Sequence, residues 1–103
     1  MRIITERQIR EFWQGEQGLE KSRRESTMRE WIRTVRLADW SNFADLKNTF
    51  NHADVYKNCT IFDIGGNKYR IIAKVEYQKH LVFIRFVLTH SEYDKKKWQF
   101  DCE

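Results

Sequence analysis

Reactive side chains concentrate in one stretch of this chain. Thr89-His90-Ser91-Glu92-Tyr93-Asp94-Lys95-Lys96-Lys97 packs an imidazole, a phenol, two carboxylates and three ammonium groups into nine residues. An imidazole is the side chain suited to giving or taking a proton at neutral pH, which makes His90 a candidate for that work. Tyr93 can donate a hydrogen bond or stack on a base. Each also has a plainer account, His90 capping a backbone carbonyl and Tyr93 tucked into a core. Other chemistries find little support. The two Cys and three His show no zinc-ligand spacing. Gly65-Gly66-Asn67 reads as a hairpin turn rather than a nucleotide-cradling loop. Cys59, isolated in a strand pattern, reads as inert packing rather than as a nucleophile.

The elements that must position these groups follow from periodicity. Arg2 to Ile4 suits a short first strand. Thr5 with Gln8 forms a capping box for a helix bearing Ile9, Phe12 and Trp13 on one face, stopped at Gly15 and Gly18. A second box, Ser22 with Glu25, opens a longer helix with the apolar stripe Met28, Trp31, Ile32, Val35 and Ala38. Its arginines read first as a solvated face. Phe43, Leu46 and Phe50 suit a short helical turn capped by Asn42.

From Val55 the period becomes two. A strand at 59–64 runs into the glycine turn. The next places Tyr69, Ile71, Ala73, Val75 and Tyr77 on one side, with Lys68, Arg70, Lys74 and Glu76 opposite. After a turn at Gln78-Lys79-His80, Val82, Ile84, Phe86 and Leu88 share one side of the last strand. Helices followed by a strand meander make an α+β domain spanning 1–103, with two N-terminal helices on one face of a small, mainly antiparallel sheet. Lys68, Arg70, Lys74 and Arg85 then fall on the uncovered face. Such a face serves equally as a platform for a phosphate backbone or as a solubility surface guarding strand edges.

Composition sets outer bounds. The 103 residues carry 19 Lys and Arg against 15 Asp and Glu, a net +4 shared evenly between the halves. That is compatible with a polyanionic partner without requiring one. Four Trp and seven Phe argue against disorder, and the lack of Pro excludes Pro-rich linker classes. No leader-like or membrane-spanning apolar run is visible. Cys59 and Cys102, with no pairing framework, are expected as free thiols in a reducing cytoplasm, a single disulfide being the alternative.

The segments Phe62-Asp63-Ile64-Gly65-Gly66-Asn67-Lys68-Tyr69-Arg70-Ile71-Ile72-Ala73 and Ile84-Arg85-Phe86-Val87-Leu88-Thr89-His90-Ser91-Glu92-Tyr93-Asp94-Lys95 closely resemble the HigB toxins of type II toxin–antitoxin systems, which are RelE-like mRNA endoribonucleases. Ala38-Asp39-Trp40 and Phe43-Ala44-Asp45-Leu46-Lys47 also look like that family, and the likeness weakens from Gly15 to Arg36 and after Lys97. The resemblance implies a compact β-α-α-β-β-β toxin that cleaves mRNA on the ribosome, needs no cofactor, and is neutralised by a helix-turn-helix antitoxin of the HigA type. Asn67 and Arg70 match one family element, His90 and Tyr93 the other, and Arg85 the basic residue of the last strand. His52 and His80 stay outside the site.

The chemistry agrees with that implication. RNA supplies its own nucleophile, the 2′-hydroxyl, so the protein needs only to orient the ribose–phosphate, steady negative charge and move protons, without a metal. Arg70 and Arg85 suit the phosphorane because a guanidinium offers paired planar donors. His90 is the candidate for proton transfer, Tyr93 for base stacking or a phosphate hydrogen bond, and Lys68, Lys74 and Lys95, with Asn67, for holding RNA. The alternative is a module that binds RNA or the ribosome, and pairs with an antitoxin, without cutting.

Overall fold

Strand β1 (Arg2–Ile4) leads into helices α1 (Arg7–Gln14), α2 (Gly18–Leu37) and α3 (Phe43–Thr49) in the computed structural model, which describes residues 1–102. Strands β2 (Asp54–Tyr56), β3 (Cys59–Ile64), β4 (Tyr69–Glu76) and β5 (Leu81–Thr89) follow, then helix α4 (His90–Asp94) and a 3-10 helix at Lys97–Cys102. The strands form one sheet in the order β1-β5-β4-β3-β2. Every pairing is antiparallel except that of β1 with β5. The expected α+β arrangement is therefore the observed one.

The N-terminal caps differ from expectation. Helix α1 starts at Arg7 with Glu6 at its N-cap and no side-chain capping bond. The Glu6 carboxylate is instead taken by Arg10 and Arg36. Helix α2 opens at Gly18, four residues before Ser22, whose hydroxyl donates to Gly18 O from inside the helix. Gly18 has φ +63°, a left-handed reversal open to glycine, which turns the chain from α1 into α2 earlier than a capping serine could. Asn42 does cap α3, its Oδ1 accepting from Asp45 N at 2.9 Å.

The helices bury their apolar stripes on one face of the sheet. Ile9 and Trp13 of α1 meet Met28, Trp31, Ile32 and Val35 of α2 over Phe62, Tyr69, Ile71, Ala73, Val82 and Ile84. Aromatic edges lock this layer, with Trp31 and Phe50 each 5.2 Å from Phe62. Burying a side chain of this size contributes roughly 1.5–3 kcal/mol. At the β3–β4 turn Gly65 holds φ +64°, and a Cβ there would stand 2.8 Å from the Tyr69 ring. The turn and the close approach both demand glycine.

The opposite face is not bare. Between Ile72 and Ala73 the register with β5 slips, so that Ile72 faces Phe86 while Ala73 faces Ile84. Arg85 is the extra residue. A bulge of this kind reverses the alternation of the strand beyond it. Val82 and Ile84 thus join the helical core, whereas Phe86 and Leu88 pack on the far side, with Val87 returned to the core. The expected shared side for Val82, Ile84, Phe86 and Leu88 is accordingly wrong. On the far side a second cluster forms from Cys59, Ile61, Ile72, Trp98 and Cys102, with Tyr56, Phe86, Leu88 and Tyr93 packed against it. The C-terminal 3-10 helix covers this patch and is joined to β3 by a Cys59–Cys102 disulfide, where free thiols were expected. The two cysteines, 43 residues apart in sequence, are brought side by side by the return of the C-terminal segment onto β3.

Candidate functional site

Arg70 points to the far face of the sheet yet is only 6% exposed. A charged group buried to that degree must be surrounded by acceptors, and it is. Nη1 donates to Asn67 O at 3.2 Å and Tyr69 O at 3.3 Å, and Nη2 donates to Asn67 Oδ1 at 2.6 Å. Asp63, its register partner on β3, brings Oδ1 to 3.2 Å from Nη1. That pair is a charge contact with poor hydrogen-bond alignment, for the buried Asp63 Oδ1 has no hydrogen bond among the described residues. Asn67 can reach back to Arg70 because it sits at φ +73° in the turn, a conformation Asn tolerates better than most residues.

His90 and Tyr93 arrive from the other side. Thr89 caps α4 through a full capping box with Glu92, starting the helix where β5 leaves the sheet. His90 N donates to Lys68 O at 2.9 Å, tying that start to the β3–β4 turn. The imidazole then stands with Nδ1 3.3 Å from Arg70 Nη2 and Nε2 3.2 Å from Asp94 Oδ2. A guanidinium can only donate. Nδ1 therefore accepts from Arg70, and the imidazole proton of the neutral tautomer belongs on Nε2, facing Asp94.

One turn on, the Tyr93 ring centroid is 4.8 Å from the Arg70 guanidinium carbon. The same ring stacks on Trp98 at 5.1 Å with planes 10° apart, so base stacking on that covered face is closed to it. Its hydroxyl makes no hydrogen bond among the described residues. Burial raises the Tyr93 pKa, Arg70 opposes that rise, and Asp54, Asp63 and Asp94 add to it. The phenol is held protonated at neutral pH, as a donor.

The remaining expected residues are dispersed around this centre. Lys68 is exposed on the turn and Lys95 is exposed at the C-cap of α4. Lys74 lies half-buried on β4. Arg85 lies three positions from Leu88, the register partner of Arg70, so roughly 10 Å along the strand. It is turned onto Asp101 of the 3-10 helix, which takes both Nε and Nη2. The Asp101 hydrogen bond raises the Arg85 pKa further, and the same bond holds the Asp101 carboxyl below its usual range, with Lys74 adding to the effect. Arg70, Asn67, His90 and Tyr93 thus make one contiguous group, and Arg85 with Lys74 a second one centred on Asp101.

Three residues of the site were not singled out from the sequence. Asp94 follows His90 by four positions on a helix, a spacing that could have revealed it. Asp63 opposes Arg70 only once the hairpin register is known. Trp98 gives no local signal, because its partner is chosen by the reversal at Lys96, which takes φ +61°.

Comparison with known proteins bears on the same residues. A family model described as HigB toxin, RelE-like toxic component of a toxin–antitoxin system, matches residues 24–96. The mRNA interferase HigB of Escherichia coli O6:H1 is 29% identical over 66 residues, 61% of this chain and 64% of that protein. The mRNA interferase toxin HigB of Escherichia coli K12 and the mRNA interferase HigB of Shigella flexneri are each 38% identical over 52 residues, 48% of this chain and 50% of theirs. The chain therefore spans between half and two thirds of the length of these relatives. Asn67, Arg70, His90 and Tyr93 all fall inside the family match, whereas Trp98, Asp101 and Cys102 lie beyond it. With more than half of its residues matched and the two linked turns of that match built around Arg70, the chain belongs to the HigB toxin family.

Proposed function

We propose that this protein is the toxin of a type II toxin–antitoxin pair and cleaves mRNA as a metal-independent endoribonuclease. The observation that carries this reading is the contact of one buried guanidinium, Arg70, with both an imidazole, His90, and a protonated phenol, Tyr93. The 2′-hydroxyl oxygen attacks the adjacent phosphorus, the P–O5′ bond breaks, and a 2′,3′-cyclic phosphate and a 5′-hydroxyl remain. Arg70, held rigidly by Asn67, lends positive charge to the phosphorane without having to reorganise. The phosphate takes over the Arg70 Nη2 hydrogen bond, freeing His90 Nδ1 to accept the 2′-hydroxyl proton. The imidazolium so formed, held at Nε2–H by Asp94, gives a proton to the departing O5′, and the Tyr93 hydroxyl donates a hydrogen bond to a nonbridging phosphate oxygen. Lys68, exposed on the β3–β4 turn, and Lys95, exposed at the C-cap of α4, hold the RNA backbone. Arg85 and Lys74 extend that basic track once an RNA phosphate displaces Asp101 from Arg85.

The partners that follow are mRNA, the ribosome and an antitoxin of the HigA type, in the cytoplasm. A second reading, a module that binds RNA or the ribosome without cutting, is favoured by one feature. The donors of Arg70 and Arg85 are already engaged by acceptors of the protein itself. Purified protein incubated with translating ribosomes and end-labelled mRNA separates the two. New 5′-hydroxyl ends, lost in Arg70→Ala and His90→Ala, are expected, and retained binding without new ends would overturn cleavage. Naked RNA incubated with EDTA tests the metal-free chemistry, which inhibition would contradict.

A further inference from the structure

We propose that Trp98 is a positioning residue of the site, holding the Tyr93 ring against Arg70, and that the Cys59–Cys102 disulfide keeps Trp98 in that place; the catalytic part of this inference rests on the nuclease reading above. Three observations converge on it. The Trp98 ring lies nearly parallel to that of Tyr93, and its indole Nε1–H donates to Tyr93 O at 3.0 Å, so Trp98 fixes both the ring and the backbone of that residue. Trp98 is itself 4% exposed, braced edge-on by Tyr56 with ring centroids 5.3 Å apart. Among the described residues, the short helix carrying Trp98 is tied to the sheet by the Cys59–Cys102 bond, by the Asn58 N–H donated to Cys102 O at 3.1 Å and by the Asp101 pair with Arg85, besides the packing of Trp98 and Cys102 on Ile61 and Ile72.

Helix α4 is too short to hold Tyr93 unaided. It has five residues, none of them buried, and an isolated helix of that length is unstable in water. Its N-terminal end is fixed by the capping box and by the bond from His90 N to Lys68 O. Its C-terminal end, where Tyr93 and Asp94 sit, is fixed by the Lys96 reversal and by Trp98. Freeing Trp98 lets that end drift. Displacement of a reacting group by about 1 Å can lower turnover as much as 10²-fold. The disulfide closes the far side of this cover, since removing it leaves Cys102 without its covalent tie to β3.

The test uses the full chain in four forms: wild type, Trp98→Phe, Trp98→Ala and the Cys59→Ala/Cys102→Ala double variant, with circular dichroism as the check of folding. The ring protons of Tyr93, followed by NMR, read the stack directly through the indole ring current. In wild type they are expected upfield. They should stay displaced in Trp98→Phe, return to the ordinary tyrosine range in Trp98→Ala, and move part of the way in the double cysteine variant. On RNA, kcat should fall about tenfold in Trp98→Ala with KM changed less than about twofold, because the phosphate-holding cations remain. Trp98→Phe should recover most of the loss. Tyr93 shifts unchanged in both Trp98→Ala and the cysteine variant would overturn the proposal, as would shifts that move while kcat does not. Should Trp98→Ala fail to fold, the double cysteine variant, which keeps the indole, decides in its place. If wild-type protein cuts no RNA, the nuclease reading falls alone, and the ring shifts still decide whether Trp98 sets Tyr93.

Discussion

Arg70 Nη2 and His90 Nδ1 lie 3.3 Å apart, although the two residues are 20 positions apart and come from a strand and a helix. On the proposed nuclease reading, the contact makes the guanidinium both a neighbour of the reacting phosphate and the group that selects the tautomer of the proton-transfer residue. Lysine would keep the charge and lose the fork that reaches Asn67 and His90 together. Arg70→Lys should lower RNA cleavage by about 10²–10³, a loss typical of a removed charge-stabilising donor. Arg70→Ala should in addition destabilise the fold by about 1–3 kcal/mol, because Asp63 is left without its cation. Cleavage assays and urea unfolding read the two effects, and undiminished cleavage in Arg70→Lys would remove Arg70 from the site.

Asn67 separates backbone need from side-chain need. It holds φ +73° and also binds Arg70 through Oδ1. Asn67→Gly keeps the turn comfortable, so stability should fall only by the lost acceptor of the buried Arg70, about 1–3 kcal/mol, while cleavage falls. Asn67→Ala removes the same side chain but forces a Cβ into left-handed backbone, at a further cost of about 1–2 kcal/mol. Equal unfolding midpoints for the two variants would refute this division.

For His90 the expected effect is on rate alone. Its side chain is half exposed, so His90→Gln should leave the unfolding midpoint within experimental scatter. Loss of proton transfer should lower cleavage about 10²–10⁴-fold. Asp94→Asn, which keeps an acceptor facing Nε2, should cost less than His90→Gln. A larger loss in Asp94→Asn would mean that the carboxylate itself carries the proton.

Stability should depend on the disulfide through the loop it closes. With the two cysteines 43 positions apart, the bond should contribute about 2–4 kcal/mol by restricting the unfolded chain. Urea unfolding with and without dithiothreitol measures this. Identical midpoints, with reduction verified by thiol labelling, would contradict it.

The Arg85–Asp101 pair sets a pH signature. Asp101 has its folded pKa lowered, chiefly by the hydrogen bond from Arg85. Its stabilising contribution is therefore complete above the ordinary aspartate value near ~3.9 and is lost as pH falls through the depressed folded value. Arg85→Ala should be less stable than wild type at pH 7, and the gap should close in strong acid. A gap that widens as the pH falls would show that the pair is not its source. Asp101→Asn should free Arg85 and tighten RNA binding at low salt, most visibly where the Debye length exceeds its physiological value of about 8 Å.

Much of the site was legible in the residue order because its determinants are local. The turn chemistry at Gly65-Gly66-Asn67 placed Arg70 just inside β4, and the alternation of β5 runs out at His90, although the capped helix that begins there was not read from the sequence. Two antiparallel strands joined by a short turn bring those ends together without distant information. The stripe of α2 was equally plain, since Met28, Trp31, Ile32 and Val35 recur at helical spacing and all four are buried. Harder to see was anything that depends on register. One extra residue at Arg85 reversed the faces of Phe86 and Leu88, and alternation alone carries no mark of a bulge.

By itself, then, the order of residues determined the α+β class, the helical face of the sheet, the glycine turn that precedes Arg70, and the family to which Asn67, Arg70, His90 and Tyr93 point. Only the tertiary structure decided what covers the other face. There the Lys97–Cys102 segment folds back, Trp98 comes under Tyr93, Asp101 takes Arg85, and Cys102 meets Cys59. The physical reason is range. Periodicity and turn chemistry report on neighbours a few residues apart, whereas a buried guanidinium, a stacked indole and a disulfide each take a partner 5 to 43 positions away, chosen by which surfaces the folded chain still leaves open.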